Sequence, residues 1–438
     1  RIKFDSKQNL FGLNGGKKFK KWVLFADVKD SSMLRNAVSF FMGREIAGEN
    51  IFVTDCTPVH LYINNQYWGL YLLAEQKEAK DGRVNIPEIP SDTYSGTDIG
   101  YSFELDKYAP EEAKKGEDGD PTFTVQYKPT DDKTRNKWEN SNECQNKQIN
   151  TYTMLSDIGN RNTQLPFIKT RVEQLHEILY RAANNQGLKE INASGELVNS
   201  TETDVEKCLE KSFDIQSFVD LYILNEITCN PDIGYSSFYL TYDNSASGDK
   251  KLRLDNPWDF DSALGLVNYT MMDSKGMFAS TSSNMWIRLM CKCNFFTAKV
   301  KARWNELREA KIFERALDML EDYSISYANE YKKNFNKWTK TMGDNPETTF
   351  ELRSEAKALK TERQAEQLLY NWLVARVDYL ETVYGNKRAT VDLYGGRTDG
   401  TGAETHQETN PITTEVDYTE FKANANKTRI EAETGSKE

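Results

Sequence analysis

Over its first hundred residues the chain alternates apolar and polar positions in short runs, the two-residue period of strands with one buried face. IKFD, KWVLFAD, VHLYI and YWGLYLLAEQ follow it, and Asn64-Asn65-Gln66 predicts a tight reversal between the last two. Between these strands Leu34, Val38, Phe41, Met42 and Ile46 fall at helical spacing behind Ser31-Ser32, which reads as a helix cap. GYSFELD (100–106) predicts one more strand. From about 109 to 165 the chain is polar, with one strand-like piece, TFTVQY (122–127). FIKTRVEQLHEILYRAAN (167–184) and IQSFVDLYILNEITCN (215–230) then repeat at helical spacing, the second with Phe218, Leu221, Tyr222 and Ile223 on one buried face. SSFYLTY and KLRLDNPWDFD predict two strands joined by the turn-rich DNSASGDK. Helices return in ARWNELREAKIFERALDMLEDYSISYANEY and RSEAKALKTERQAEQLLYNWLVARVDYLETVY, ending near Tyr384.

Beyond Gly385 apolar periodicity stops, so 386–428 reads as a linker, and TRIEAETGSKE as the opening of a further strand in a module past residue 438. The predicted organisation is α+β. A β-rich lobe covers 1–130, a mainly helical lobe 131–385 carries a hairpin near the junction, and a tail covers 386–438.

Composition narrows the function classes. The 438 residues are 38% hydrophobic, enough for a substantial core. Lys+Arg 56 against Asp+Glu 67 gives a net charge of −11, which argues against nucleic acid as a main partner and requires any bound polyanion to find a local cation. No apolar run is long enough to span a membrane. Six cysteines (Cys56, Cys144, Cys208, Cys229, Cys291 and Cys293) lack the paired spacing of a zinc site. RIKFD reads as a strand from Arg1 onward, so the start of the natural protein is expected to be missing.

The chemistry concentrates in NPWDFDSALG (256–265). On a strand, Asp259 and Asp261 share a face, and two like charges that close need a cation or hydrogen-bond donors to stay ionised. A divalent metal is the natural candidate, although a lone pair of aspartates also occurs in ordinary turns. The preceding loop, NEITCNPDIG, contributes Glu226, Asn230 and Asp232. A helix end, an acid in a loop, a hairpin and then a second acid follow the order in which kinase-like folds place a proton-accepting Asp ahead of a metal-binding Asp. Other features carry less. FGLNGGKK does not fit the spacing of a phosphate-binding P-loop, His60, His176 and His406 are scattered without a partner nucleophile, and the aromatic run YINNQYWGLY reads mainly as sheet packing.

From RIKFD to about Tyr384 the chain resembles the CotH (spore coat protein H) kinase family, atypical kinases similar to secretory-pathway kinases. The resemblance rests on RIKFD and FGL, LRNAVSFFMGREI, LYINNQYWGLYLLAEQ, YSFELDKY, SFVDLYILNEITCNPDIGYSSFYLTYD and PWDFDSALG, in that order. It implies a bilobal atypical protein-kinase-like fold and transfer of the ATP γ-phosphoryl group, with Mg2+ or Mn2+, to hydroxyl side chains of extracellular or cell-surface proteins. Carried over by position, it makes Asp232 the catalytic acid and Asp259 the metal ligand, with Asp261 and Asn230 supporting the metal. Many members place a His-Asn pair where this chain has Ser236-Ser237, so Ser237 would have to substitute for that Asn. For the nucleotide side, the candidates are Lys128, Glu75, Glu104 and Arg35. Two rival readings remain open: a binding or adhesion protein on a pseudokinase frame, favoured if the phosphate-side cation is absent, and a carbohydrate-active enzyme using paired carboxylates.

Overall fold

The computed structural model describes residues 1–126, 150–269, 271–343 and 351–385. The expected tail and Lys128 lie outside the described residues.

The opening strands form as the alternation predicts. β1 (Ile2–Gln8), β2 (Phe19–Phe25), β3 (Cys56–Ile63) and β4 (Gln66–Glu75) make an antiparallel sheet in the order β1-β2-β4-β3. The β3–β4 reversal uses Asn64 and Asn65, both at positive φ (50° and 63°), which asparagine tolerates better than most residues. The helix α1 (Arg35–Ala47) begins after the expected Ser31-Ser32 cap. Asp30 supplies most of the acceptors at its first turn, its carboxylate accepting from the amides of Leu34 (3.1 Å) and Arg35 (2.9 Å), while Ser32 Oγ also accepts from the Leu34 amide at 3.3 Å.

β5 (Gly100–Leu105) joins a different sheet from the four strands before it. It pairs with β10 (Phe238–Asp243), in a five-stranded sheet ordered β11-β10-β5-β7-β6 that also holds β6 (Thr122–Thr124), β7 (Thr151–Met154) and β11 (Leu252–Asp255). This sheet draws strands from both sides of residue 130. β8 (Lys189–Ile191) and β9 (Leu197–Asn199) form a separate small hairpin.

Among the described residues the further helices are α2 (Ala109–Lys114), α3 (Arg161–Ala183), α4 (Val205–Glu210), α5 (Ile215–Thr228), α6 (Met285–Cys291), α7 (Asn294–Glu309), α8 (Ile312–Ser326), α9 (Ala328–Gly343), α10 (Ser354–Lys357) and α11 (Glu362–Tyr384). α3 starts six residues before the expected Phe167, because Asn160 caps it and Pro166 is accommodated within its early turns. α5 is not amphipathic. Every residue except Gln216 is buried, so it is a central helix rather than one with a single buried face. Tyr222 on α5 meets the Tyr384 hydroxyl at 2.7 Å, and a Cβ on Gly43 of α1 would lie 3.3 Å from Leu224. One continuous core runs from Met33 and Leu34 through α5 to Leu380 and Tyr384, while Leu13, Phe19, Trp22 and Leu73 form a small separate cluster beside the first sheet. The chain is thus a mixed α/β fold.

Candidate active site

α5 ends where Cys229 takes a left-handed conformation (φ 48°). The Asn230 side chain then caps the short 3-10 turn Pro231–Gly234 by accepting from the Asp232 amide at 3.1 Å. Its amide also donates to the Trp258 carbonyl at 3.3 Å, tying the Asp232 loop to the WDFD segment. Gly234 is required by close packing, since a Cβ there would fall 2.1 Å from Ser283 Oγ.

WDFD is not a strand. β11 stops at Asp255, then Asn256 (φ 52°), Asp259 (φ 63°) and Leu264 (φ 53°) all adopt left-handed backbone, which a strand cannot contain. The shared-face expectation for Asp259 and Asp261 therefore gives way to an irregular loop clamped by α1. Asn36 Oδ1 accepts from the Phe260 amide (2.8 Å), Arg35 Nε donates to the Ala263 carbonyl (3.0 Å), and Trp258 packs on Phe25 with ring centroids 4.8 Å apart. Non-glycine residues held at positive φ in one small region are costly to keep and are typical of functional sites.

The carboxylates feel one another. Asp232 has its pKa raised to about 7, chiefly by burial and then by the charges of Asp259 and Asp261, with Lys29 and Lys107 pulling the other way. Burial and Asp259 likewise raise Asp261 to about 6, opposed by a bond from Ser262 Oγ (3.0 Å) and by Lys29. Asp27, absent from the sequence reading, joins this group. It is buried beneath the site, bonded to Asn36 Nδ2 at 2.6 Å, and raised well above the usual carboxylate range by burial and then Asp30. A nearby cation would favour the ionised form of each of these acids.

Across from it lies the residue sequence reasoning missed. Lys77, just past β4, is almost wholly enclosed; its ammonium donates to the Tyr239 hydroxyl, sits 5.1 Å from the Trp258 ring centroid and lies 4.0 Å from Glu104 Oε2. Burial lowers its pKa, while Glu104 and then Asp259 hold the charge in place. Glu104 Oε1 accepts from the Ser237 amide at 2.7 Å, and Ser237 Oγ donates to Asp259 Oδ2 at 3.3 Å. A continuous path, Lys77–Glu104–Ser237–Asp259, links a cation to the metal-candidate acid. Ser237 thus touches Asp259 directly at the position where an Asn was looked for.

The remaining candidates sit elsewhere. Glu75 belongs to a cluster with Arg83 (3.4 Å) and Asn14 (2.6 Å). Arg35 is engaged by Asp30 at 2.6 Å and by Ala263, and positions the WDFD loop from behind. Among the described residues no three His, Cys, Asp or Glu side chains form a cage that could hold a metal ion. Magnesium is usually held by one or two carboxylates together with substrate phosphates, so Asp259 and Asp261 remain candidate ligands without a larger cage, while the Asn230 side chain is engaged by the Asp232 amide and the Trp258 carbonyl.

No curated protein compared with the chain matches it. The family described as CotH kinase protein matches residues 1–380, a span that includes Lys77, Glu104, Asp232, Asp259 and Asp261. The chain belongs to the CotH kinase family.

Proposed function

We propose that the protein is an atypical protein kinase that transfers the ATP γ-phosphoryl group to hydroxyl side chains of extracellular or cell-surface proteins, in a bilobal kinase-like arrangement with β-rich and helical lobes. Asp232 accepts the acceptor hydroxyl proton as the new oxygen–phosphorus bond forms and the bond to the ADP leaving oxygen breaks. Asp259, with Asp261 and Asn230, would hold Mg2+ or Mn2+, which neutralises phosphate charge when bound. Lys77, held by Glu104, supplies the phosphate-side cation.

The single observation that carries this reading is the Lys77–Glu104–Ser237–Asp259 path. It supplies the cation whose absence would have favoured the pseudokinase frame. A thermal-shift series tests it, because a ligand that binds only the native state must raise the melting temperature. ATP with Mg2+ is expected to raise it, and oligosaccharides are not. A shift with oligosaccharides and none with ATP and Mg2+ would favour the carbohydrate-active alternative.

A further inference from the structure

The loop that carries Asp232, NPDIGYS (230–236), contains no Lys or Arg, so any cation acting at the point of transfer has to come from another element. Two lysines bear on Asp232, Lys29 and Lys107. Lys107 is occupied by aromatic rings, its ammonium 3.3 Å from the Tyr235 ring centroid and 4.6 Å from that of Tyr108. Lys29 is placed differently. It projects from the turn Asp27–Asp30, which is fixed at its far end because Asp30 bonds Ser32, Leu34 and Arg35. Its ammonium is 3.5 Å from Ser262 Oγ, which itself bonds Asp261 at 3.0 Å, so it stands at the edge of the acid group.

Its partner is Glu351, at 2.7 Å, with both side chains about a quarter exposed (27% and 24%). Glu351 comes from the far end of the chain. Its carbonyl accepts from the Asn268 amide at 2.7 Å, and the Arg353 amide donates to the Leu266 carbonyl at 2.9 Å, so segment 351–353 braces the stretch leaving WDFDSALG. Lys29 and Glu351 therefore meet at the rim of the site from opposite ends of the sequence. A part-exposed ion pair is worth little in stability, and an ammonium on a four-carbon stem can exchange one carboxylate for a more highly charged anion without moving its backbone.

Resting on the phosphoryl-transfer reading above, we propose that Lys29 is a catalytic cation parked on Glu351, and that it turns to the oxygens of the transferring phosphoryl group when nucleotide is in place. There it stabilises negative charge as the acceptor oxygen–phosphorus bond forms and the bond to ADP breaks, a role the Asp232 loop cannot fill from its own residues.

Steady-state transfer to an acceptor protein, measured with the full chain and with Lys29→Met, Lys29→Arg and Glu351→Gln, tests this. Lys29→Met is expected to lower kcat on the order of 100- to 1,000-fold, the scale for losing one preorganised charge stabiliser, while the thermal shift with ATP and Mg2+ persists. Lys29→Arg should recover part of the loss, and Glu351→Gln should keep at least wild-type kcat because it frees the lysine. Full turnover by Lys29→Met, or equal losses in Lys29→Met and Glu351→Gln, would overturn the proposal, the second by showing that the pair only latches the rim. Wild-type protein with no transfer at all would overturn the kinase reading and this proposal with it.

Discussion

At the scale of single residues, Lys77 decides whether the site has a phosphate-side cation. A lysine two positions past a strand acid is ordinarily a solvated charge, and nothing in LLAEQK marks it as enclosed. Its enclosure comes from Tyr239 and Trp258, which lie more than 160 positions away. Glu104 is named from the sequence only through the family resemblance of its strand, together with Glu75, and only the pairing of that strand with β10 sets it beside Lys77 and Ser237. Replacing Lys77 with Met keeps the volume and removes the charge. The variant should stay folded and lose most of its thermal shift with ATP and Mg2+, because Glu104 and Asp259 are then left facing the phosphates without a compensating cation. An unchanged shift in a folded Lys77→Met protein would remove Lys77 from the site.

At the scale of elements, the strands and helices with a clear period were legible and the irregular pieces were not. β1 to β4 follow the alternation, and α5 falls within the expected span, but its all-round burial emerges only when its neighbours surround it. The WDFD loop defeats a period-based reading. Its shape is fixed by Pro257, by left-handed residues and by the grip of Asn36 and Arg35, contacts more than 200 positions apart in sequence. A buried ion pair between elements is also non-local. Glu226 on α5 and Arg376 on α11 form a fully buried ion pair at 2.9 Å. Glu226 also receives the amides of Phe278, Ala279 and Ser280, and Arg376 donates to the carbonyls of Ser274 and Gly276. The pair therefore pins the stretch 274–280 that follows the metal-candidate loop. Arg376→Met should destabilise the fold by about 3–5 kcal/mol, because it strands a buried carboxylate. The double change Glu226→Met with Arg376→Met should cost less. Urea unfolding of both variants checks this, and a single variant within about 1 kcal/mol of wild type, inside the usual range for substitutions away from such features, would contradict it.

At the scale of the whole molecule, β5 shows how far local pattern reaches. Its strand character is plain in the sequence, but its partner β10 lies more than 130 residues on, and that pairing brings Glu104 to Ser237. Stability against pH follows from the buried groups. His176 on α3 is fully enclosed, with Nε2 2.9 Å from Met285 Sδ, and burial pushes its pKa down to about 3. A histidine whose folded pKa is depressed binds its proton more readily when unfolded. Its contribution is therefore intact above about pH 6.5 and is lost as pH falls towards 3, at up to about 1.4 kcal/mol per pH unit. Urea titrations of wild type and His176→Leu between pH 7 and pH 4.5, as set by that window, should show the stability gap between the two narrowing with acid. Parallel curves would contradict this.

The central claim is a division of labour between two acids, Asp232 taking the proton and Asp259 anchoring the metal. The most direct measurement is phosphoryl transfer from ATP with Mg2+, followed by mass spectrometry alongside nucleotide binding, in wild type, Asp232→Asn and Asp259→Ala. Asp232→Asn should bind nucleotide normally while transfer falls by roughly two to four orders of magnitude, the scale of a lost general base. Asp259→Ala should lose metal-dependent nucleotide binding outright. Full transfer by Asp232→Asn, or loss of its nucleotide binding as complete as that of Asp259→Ala, would contradict the account.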